Sequence, residues 1–373
     1  MMKVDVVGRV FVALGLLVVL TGCWDNRPIN SRDMVLAMGL APDHHPGAFS
    51  TVFQAPTPSA VSAGSSGSSS GGSSKKDTFD VVGSGPDLSE TFNEAQAQVS
   101  KDLYLGQMQL IVLSTRLQPM YFKRAFDGLG RIATLAKTPF VIASPTPLIK
   151  LLHHTSPQDR FPSLYFSTLF SCHTCQTDAF GVRLWQVLVR LATPGVDIFL
   201  PVATPLKDGY LVDSVALYRH FQYVTTLTPR QSMAFGILDA ISHKGSIFLP
   251  HYNASLRAIA GSSALTTHLR HGQVDATFTI KLTSTLEGIG SVTETAAQIA
   301  GMSDRASATI AASCLNLLQV TQKDDVDPLG VGRTLSWQNP RAFDHFRHWH
   351  QEYPHVHMRV HVSVTINKMG DVK

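Results

Sequence analysis

Near its C-terminus the chain reads His355-Val356-His357-Met358-Arg359-Val360-His361-Val362-Ser363-Val364-Thr365-Ile366. Val356, Met358, Val360, Val362, Val364 and Ile366 alternate with six polar residues. Successive side chains of a strand point to opposite faces, so this period of two predicts a strand with one buried and one wet face. The preceding segments offer a layer to cover it. Residues 291–322 predict a long helix, with Val292, Ala296, Ile299, Ile310, Leu317 and Val320 among its apolar positions. Asn339-Pro340 predicts a further helix start, with Phe343, Phe346, Trp349 and Tyr353 as a buried stripe.

Farther upstream the pattern stays strand-rich. Leu211–Tyr218, Ser255–Ala260 and Ala276–Leu286 read as strands, and Thr228-Pro229-Arg230-Gln231 reads as an N-cap with a capping-box Gln. Before Pro194-Gly195, a natural boundary, the rhythm alternates between helix and strand. Leu184–Ala192 is helical. Phe140–Ala143 and Met108–Leu113 are short apolar runs of the buried-strand kind. Pro119 opens a helix with Phe122, Phe126 and Leu129 on one face. Asp87-Leu88-Ser89-Glu90 is a capping-box signature, and Leu88, Phe92, Ala95, Val99 and Leu103 continue it at helical spacing.

Residues 56–76 interrupt this order with a Ser/Gly tract that cannot bury apolar surface. Between the strand-like Phe49–Ala55 and Thr78–Val82 it reads as a long disordered loop within the first domain, the alternative being a linker. Together the pieces give an α+β, multi-domain chain with mixed or antiparallel sheets, packed helices and three subdomains. The expected division is a signal segment over 1–22, an N-terminal α/β-type domain over 23–193, a middle subdomain over 194–270 and a C-terminal subdomain over 271–373.

Of 373 residues, 44% are hydrophobic and 16% charged, the balance of a folded protein. The net charge of +4 is mild, with no basic stripe interleaved with aromatics, which argues against nucleic acid as a partner. The N-terminus carries a different signal. Lys3 and Arg9 precede the apolar run Val10–Leu20, which is shorter than the roughly 20 residues a spanning helix needs. It ends in Leu20-Thr21-Gly22-Cys23, which resembles the lipobox of bacterial lipoproteins. The resemblance implies that Cys23 is alkylated by a diacylglyceryl group and becomes the mature N-terminus. The plainer alternative is an ordinary cleaved signal with Cys23 a bystander.

Candidate chemistry elsewhere is sparse. Cys172-His173-Thr174-Cys175 is a CxxC without the βαβ setting of a redox dithiol, without His directly after Cys175 for haem attachment, and without a second CxxC for zinc. With Cys314 it leaves too few cysteines for a disulfide scaffold. A local disulfide or two unpaired thiols is the reading for the CxxC. Sixteen histidines include six near the end: His345, His348, His350, His355, His357 and His361. They lack a regular ligand motif and read as a solvated face that charges as pH falls through about 6.5. Ser262-Ser263 and Thr266-Thr267-His268 lack a nucleophile elbow. Asp324-Asp325-Val326-Asp327 lacks the spacing of a calcium loop, and Gly330 and Gly332 read as a turn between helix and strand. No catalytic, cofactor or metal residue is assigned.

The order of these pieces resembles the Ger(x)C family, the lipoprotein C subunits of the nutrient receptors that trigger germination of bacterial endospores. The markers are Cys23-Trp24-Asp25 after the lipobox, the apolar Met34–Leu40, the Ser/Gly insert, Tyr104–Leu113, Asp327-Pro328-Leu329-Gly330-Val331-Gly332, and Asn339-Pro340 with Trp349 before the closing strand. Pro28 and the His-rich C-terminal helix depart from the pattern. The resemblance implies a three-part α+β protein, non-catalytic, on the outer face of the inner spore membrane. It would be held there through Cys23, beside membrane-embedded A and B receptor subunits. The rivals are a solute-binding lipoprotein of a transporter and a secreted hydrolase.

Overall fold

A computed structural model describes residues 28–62, 77–154, 156–172, 180–240, 245–287, 295–346 and 348–369. The signal segment, Cys23 and Cys175 lie outside the described residues. In chain order the first part runs β1 (Arg32–Met34), β2 (Ala37–Pro42), β3 (Phe49–Pro56), α1 (Pro58–Ser62), β4 (Thr78–Gly85), α2 (Leu88–Gln96), β5 (Asp102–Tyr104), β6 (Leu110–Ser114), α3 (Pro119–Arg131) and β7 (Phe140–Ser144). It continues through α4 (Leu148–Leu152), α5 (Pro162–Ser171), α6 (Leu184–Ala192), β8 (Ile198–Leu206), β9 (Gly209–Arg219) and β10 (Gln222–Leu227). The second part is α7 (Pro229–Leu238), β11 (Gly245–Leu249), β12 (Ala254–Arg270), β13 (Gln273–Glu287), α8 (Ala296–Lys323), α9 (Val331–Gln338), α10 (Pro340–His345), α11 (Trp349–Glu352) and β14 (His357–Met369).

Eight strands form one sheet in the order β10-β9-β8-β7-β6-β2-β3-β4. Its centre, β8-β7-β6-β2, is parallel, and both wings are antiparallel. Every residue of β6 and β7 is buried. Strands covered on both faces lose the polar alternation, which is why the sequence shows short continuous apolar runs there. Ile111 and Leu113 of β6 pack into a core with Phe122 and Phe126 of α3 and Val187 of α6. Leu110 and Val112 point the other way, toward Leu148 and Leu151 of α4 and Phe166 of α5. The two strands that flank the Ser/Gly tract pair with each other from Phe49↔Gly85 to Pro56↔Thr78, so the tract closes a hairpin within one sheet.

The second sheet has the order β11-β12-β13-β14. β14 is the alternating strand read from the sequence: Val364 is buried, and His357, Arg359, His361 and Ser363 face outward. It lies parallel to β13. A parallel pair needs a crossover, and α8 supplies it while covering the sheet with Met302, Ala306, Ile310, Cys314 and Leu317. Thr295 and Gln298 cap α8 reciprocally, and Thr228 and Gln231 do the same for α7. The hydrogen bonding runs across the limits read at 193/194 and 270/271: β8–β10 belong to the first sheet, and β12 and β13 form one hairpin.

Two helices are shorter than their apolar spacing predicts. α2 stops at Gln96, whose side chain accepts from the Leu103 N–H at 2.8 Å and donates to the Lys101 carbonyl at 2.8 Å. That bracket frees Leu103 to join β5, which pairs with β1. After Pro340 the predicted helix breaks into α10 and α11. Trp349 and Tyr353 of its stripe are buried, while Phe343 and Phe346 are only partly so. The Tyr353 hydroxyl meets Thr321 Oγ1 at 2.8 Å, and Gln322 donates to the Val356 carbonyl at 2.7 Å, so the end of α8 holds this bend.

Asp43 ties the first wing together. Its side chain is 7% exposed and accepts from the His45 N–H at 2.7 Å and from the hydroxyls of Ser50 in β3 and Ser84 at β4. Burial alone would raise its pKa, but these donors outweigh burial and hold it well below the usual carboxylate range. A carboxylate held low contributes stability above its unfolded pKa, near 3.8, and loses it as pH falls toward the folded value. Asp43→Ala is therefore expected to cost about 1–3 kcal/mol at pH 7. The gap to wild type should close only below about pH 4, as read by urea midpoints across pH. A gap that stays constant down to pH 3 would contradict the assignment.

Candidate functional site

The two sheets meet at a buried polar junction built around Asp327. α8 ends at Lys323; Asp325 then takes a left-handed φ of 51°, and the chain turns inward. Asp327 is fully buried. Its carboxylate accepts from the N–H groups of Val331 at 3.0 Å and Gly332 at 2.9 Å, and from the Trp349 indole N–H at 2.9 Å. The first N–H groups of a helix have no partner within it and carry a partial positive charge. Asp327 supplies both the acceptor and the counter-charge for α9.

Asp197 sits between α6 and β8 and grips the same turn reciprocally. Its N–H donates to the Asp327 carbonyl at 2.8 Å, and its Oδ2 accepts from the Asp327 N–H at 2.7 Å. Arg190, in the last turn of α6, donates to the carbonyls of Asp197 at 3.1 Å and Pro328 at 2.8 Å. It also pairs with Asp239 at 3.3 Å and lies 4.3 Å over the Phe199 ring. Arg190 and Asp239 are each about nine-tenths covered. Asp239 stands at the C-terminus of α7, where a negative charge is unwelcome, and Arg190 offsets that. Burial pushes the carboxyls of Asp327 and Asp239 up to about 6 and raises that of Asp197, with the donors just named pulling each back.

Glycines let the two parts approach. Gly195 has φ +70°, and its carbonyl accepts from the Arg333 N–H at 2.7 Å. A Cβ on Gly195 would lie 2.6 Å from the Gly332 carbonyl carbon, and one on Gly332 would lie 2.5 Å from the Trp349 ring. Gly330, with φ +70°, therefore turns the chain between α8 and α9, and Gly332 lies in the first turn of α9 against Trp349; neither stands between helix and strand. Asp324 and Asp325 stand at the helix end and turn, and Asp327 is the centre of the junction.

The sequence candidates separate in space. Cys172 caps α5 and is disulfide-bonded. Cys314 is buried in α8, and burial pushes its thiol up to about 12, so it is a core residue. His348 and His355 are exposed, and His357 faces Asp275 at 3.0 Å on the outer face of the sheet, near exposed His361. Ser263 donates to the Leu238 carbonyl, and Thr267 to Gln338, away from any histidine partner in those bonds. Of the C-terminal histidines whose side chains are described, His350 reaches the junction. It lies 3.7 Å from Asp197 and 3.8 Å from Asp325, with its ring 4.6 Å from that of His220. Asp197, His220 and His350 can each offer a ligand atom, all within 4.8 Å of one another. Sequence reasoning could not assemble this set, because its members come from three distant segments.

A groove of about 730 Å³ lies between α7, edge strand β11 and α8. Met233, Ile237, Ile247 and Ile310 line it, and Arg230, His251 and Arg305 add polar groups. Phe248, on the β11 edge, is 56% exposed. The groove is thus largely apolar, with two arginines among its lining residues.

Two family models match the chain. Residues 25–205 match the spore germination protein N-terminal domain, and residues 213–370 match the spore germination B3/GerAC-like C-terminal domain. No curated protein sequence matches. Among solved structures, the crystal structure of the GerBC protein is similar at a TM-score of 0.56 and 12% identity, over 89% of this chain and 98% of that one. At that identity the likeness is one of fold.

The junction predicts a contrast between two glycines of positive φ. Gly47 has φ +90° with nothing within 4 Å of an added Cβ, whereas Gly195 has φ +70° and backbone in the way. Gly47→Ala should cost about 1 kcal/mol, the backbone penalty alone. Gly195→Ala should cost roughly 3 kcal/mol or more, because the junction must open. Denaturant midpoints compare them, and equal costs would mean that the close approach is not a constraint.

Proposed function

The chain belongs to the Ger(x)C, GerAC-like family of spore germination proteins, the family of germinant-receptor C subunits, and from that membership we propose that it is a lipid-anchored receptor subunit that works by assembly. The observation that carries this reading is the pair of family matches, which between them take in both sheets. The family is one of receptor subunits and not a known enzyme family. The junction carboxylates and Arg190 are spent on helix ends and backbone, a structural use.

In this reading Cys23 carries two acyl chains, enough for stable anchoring where a single chain gives marginal binding. Among the described residues no helix is long and apolar enough to cross a membrane. The protein sits on the outer face of the inner spore membrane, with membrane-embedded A and B subunits as its partners. Nine residue steps separate Cys23 from Arg32, so the chain can place the start of β1 no more than about 32 Å from the lipid. The groove between α7, β11 and α8 is the surface best suited to a partner segment. A solute-binding lipoprotein would need two similar lobes around a cleft; here an eight-stranded and a four-stranded sheet are locked by polar contacts.

The test is Cys23→Ala in spores. The variant should fold, as read by circular dichroism, but leave the membrane fraction and abolish the nutrient germination response. Wild type should co-purify from spore membranes with the embedded subunits. Wild type recovered soluble and without partners would overturn the receptor reading. Unchanged membrane retention of the variant would assign anchoring to the partners and not the lipid.

A further inference from the structure

His350 and Asp325 leave an unusual gap beside the junction. The Nδ1 of His350 and the Oδ1 of Asp325 are buried atoms without a hydrogen-bond partner. They lie 3.8 Å apart, and the same Nδ1 is 3.7 Å from Asp197 Oδ2. These separations are too long for N–H···O bonds, whose heavy atoms sit about 2.7–3.2 Å apart. They are close to the spacing of two ligands on one cation. Metal–nitrogen and metal–oxygen bonds of about 2.0–2.2 Å at tetrahedral angles put the ligand atoms roughly 3.4 Å apart.

The fold brings a second imidazole to the same place. His220 stands at the β9–β10 turn with φ 57°, a left-handed conformation uncommon outside glycine. Its N–H donates to Asp197 Oδ1 at 3.2 Å, which orients that carboxylate. The ring of His220 lies 4.6 Å from that of His350. The other facing charge is Arg219, which binds the second oxygen of Asp325 at 2.9 Å and leaves Oδ1 turned toward His350. We propose that Asp197, His220, His350 and Asp325 form a site for one divalent transition-metal ion of the zinc type. Two imidazoles with carboxylate oxygen suit zinc, cobalt and nickel better than calcium or magnesium, which favour all-oxygen sets.

The site has a structural consequence. Asp197 belongs to the first sheet's entry loop and His220 to its edge hairpin, while in the second part Asp325 belongs to the turn after α8 and His350 to α11. The ion clips the two parts together next to the Asp197–Asp327 contact, so binding it stabilises the junction. Carboxylate and imidazole must both be unprotonated to serve, so the clip weakens in acid.

The test uses the untagged full-length chain in detergent, titrated with Co2+ and then Zn2+. Wild type should show visible Co2+ absorption that saturates at one ion per chain, is displaced by Zn2+, and accompanies a rise in melting temperature of a few degrees. His350→Ala and His220→Ala should each weaken binding more than about 100-fold, since even the outer partners of metal ligands are worth 10–100-fold. His357→Ala, on the exposed sheet face, should bind as wild type. If an alanine variant fails to fold without metal, Asp325→Asn keeps the volume and should still weaken Zn2+ binding. Wild type that binds neither ion would overturn the site. Loss in His357→Ala equal to that in His350→Ala would do the same, by assigning the metal to the surface histidines. Neither outcome touches the family membership or the anchor.

Discussion

Burying the carboxylate of Asp327 is costly, on the order of several kcal/mol for an unpaired ion. The junction offsets that cost with two backbone N–H donors at the start of α9 and the indole of Trp349. Charge-assisted bonds of this kind contribute about 1.5–3 kcal/mol each, so the group is tolerated only if all of them form together. That requirement is geometric. It sets where α9 begins, which way Trp349 faces and how close Gly332 comes to it. Through the reciprocal contact with Asp197, it also sets how the second part of the chain sits on the first. Apolar cores tolerate slippage; a satisfied polar cluster has one arrangement.

Features governed by neighbours in sequence were legible from the residues. The capping box at Thr228 resides within four residues, and its helix starts there. The period-two strand at the C-terminus and the apolar runs of β6 and β7 report how many faces are covered, and the structure covers them accordingly. The Ger(x)C resemblance, drawn from markers spread along the chain, agrees with both family matches. What was not legible depends on distance. Asp327 bonds to Asp197 across 130 positions, so a local reading saw only the turn that surrounds it. Gln96 ended a helix whose apolar spacing continued to Leu103, because a side-chain bracket outweighed the pattern. The C-terminal histidines looked alike in a row. Three-dimensional placement divides them, with His357 on an open sheet face and His350 against buried carboxylates.

The same distinction applies to the site. In an enzyme, strained or desolvated polar groups face a cavity where substrate can meet them. Here the desolvated carboxylates face helix ends and backbone, and the large groove lies elsewhere, lined by aliphatic side chains and two arginines. Desolvation at the junction therefore serves placement. The chemistry open to solvent is that of recognition: an unpaired edge at β11, an exposed Phe248 and positive charge beside it.

Under the proposed reading the anchor precedes β1, while the groove belongs to the second part of the chain, and this gives the junction its importance. A lipid at Cys23 would tether the edge near β1, while the groove belongs to α7, α8 and β11 of the second part. A partner seated in the groove is positioned relative to the membrane only as well as the two sheets are held to each other. Apolar contact alone would leave that relation soft, because it rewards area and not angle. Arg190 holds backbone from both sides of the contact, at Asp197 and Pro328, and Gly195 lets backbone meet backbone at Arg333. Under the proposed reading, directional bonds at the seam would convert a tether of a few residues into a fixed orientation for everything beyond it.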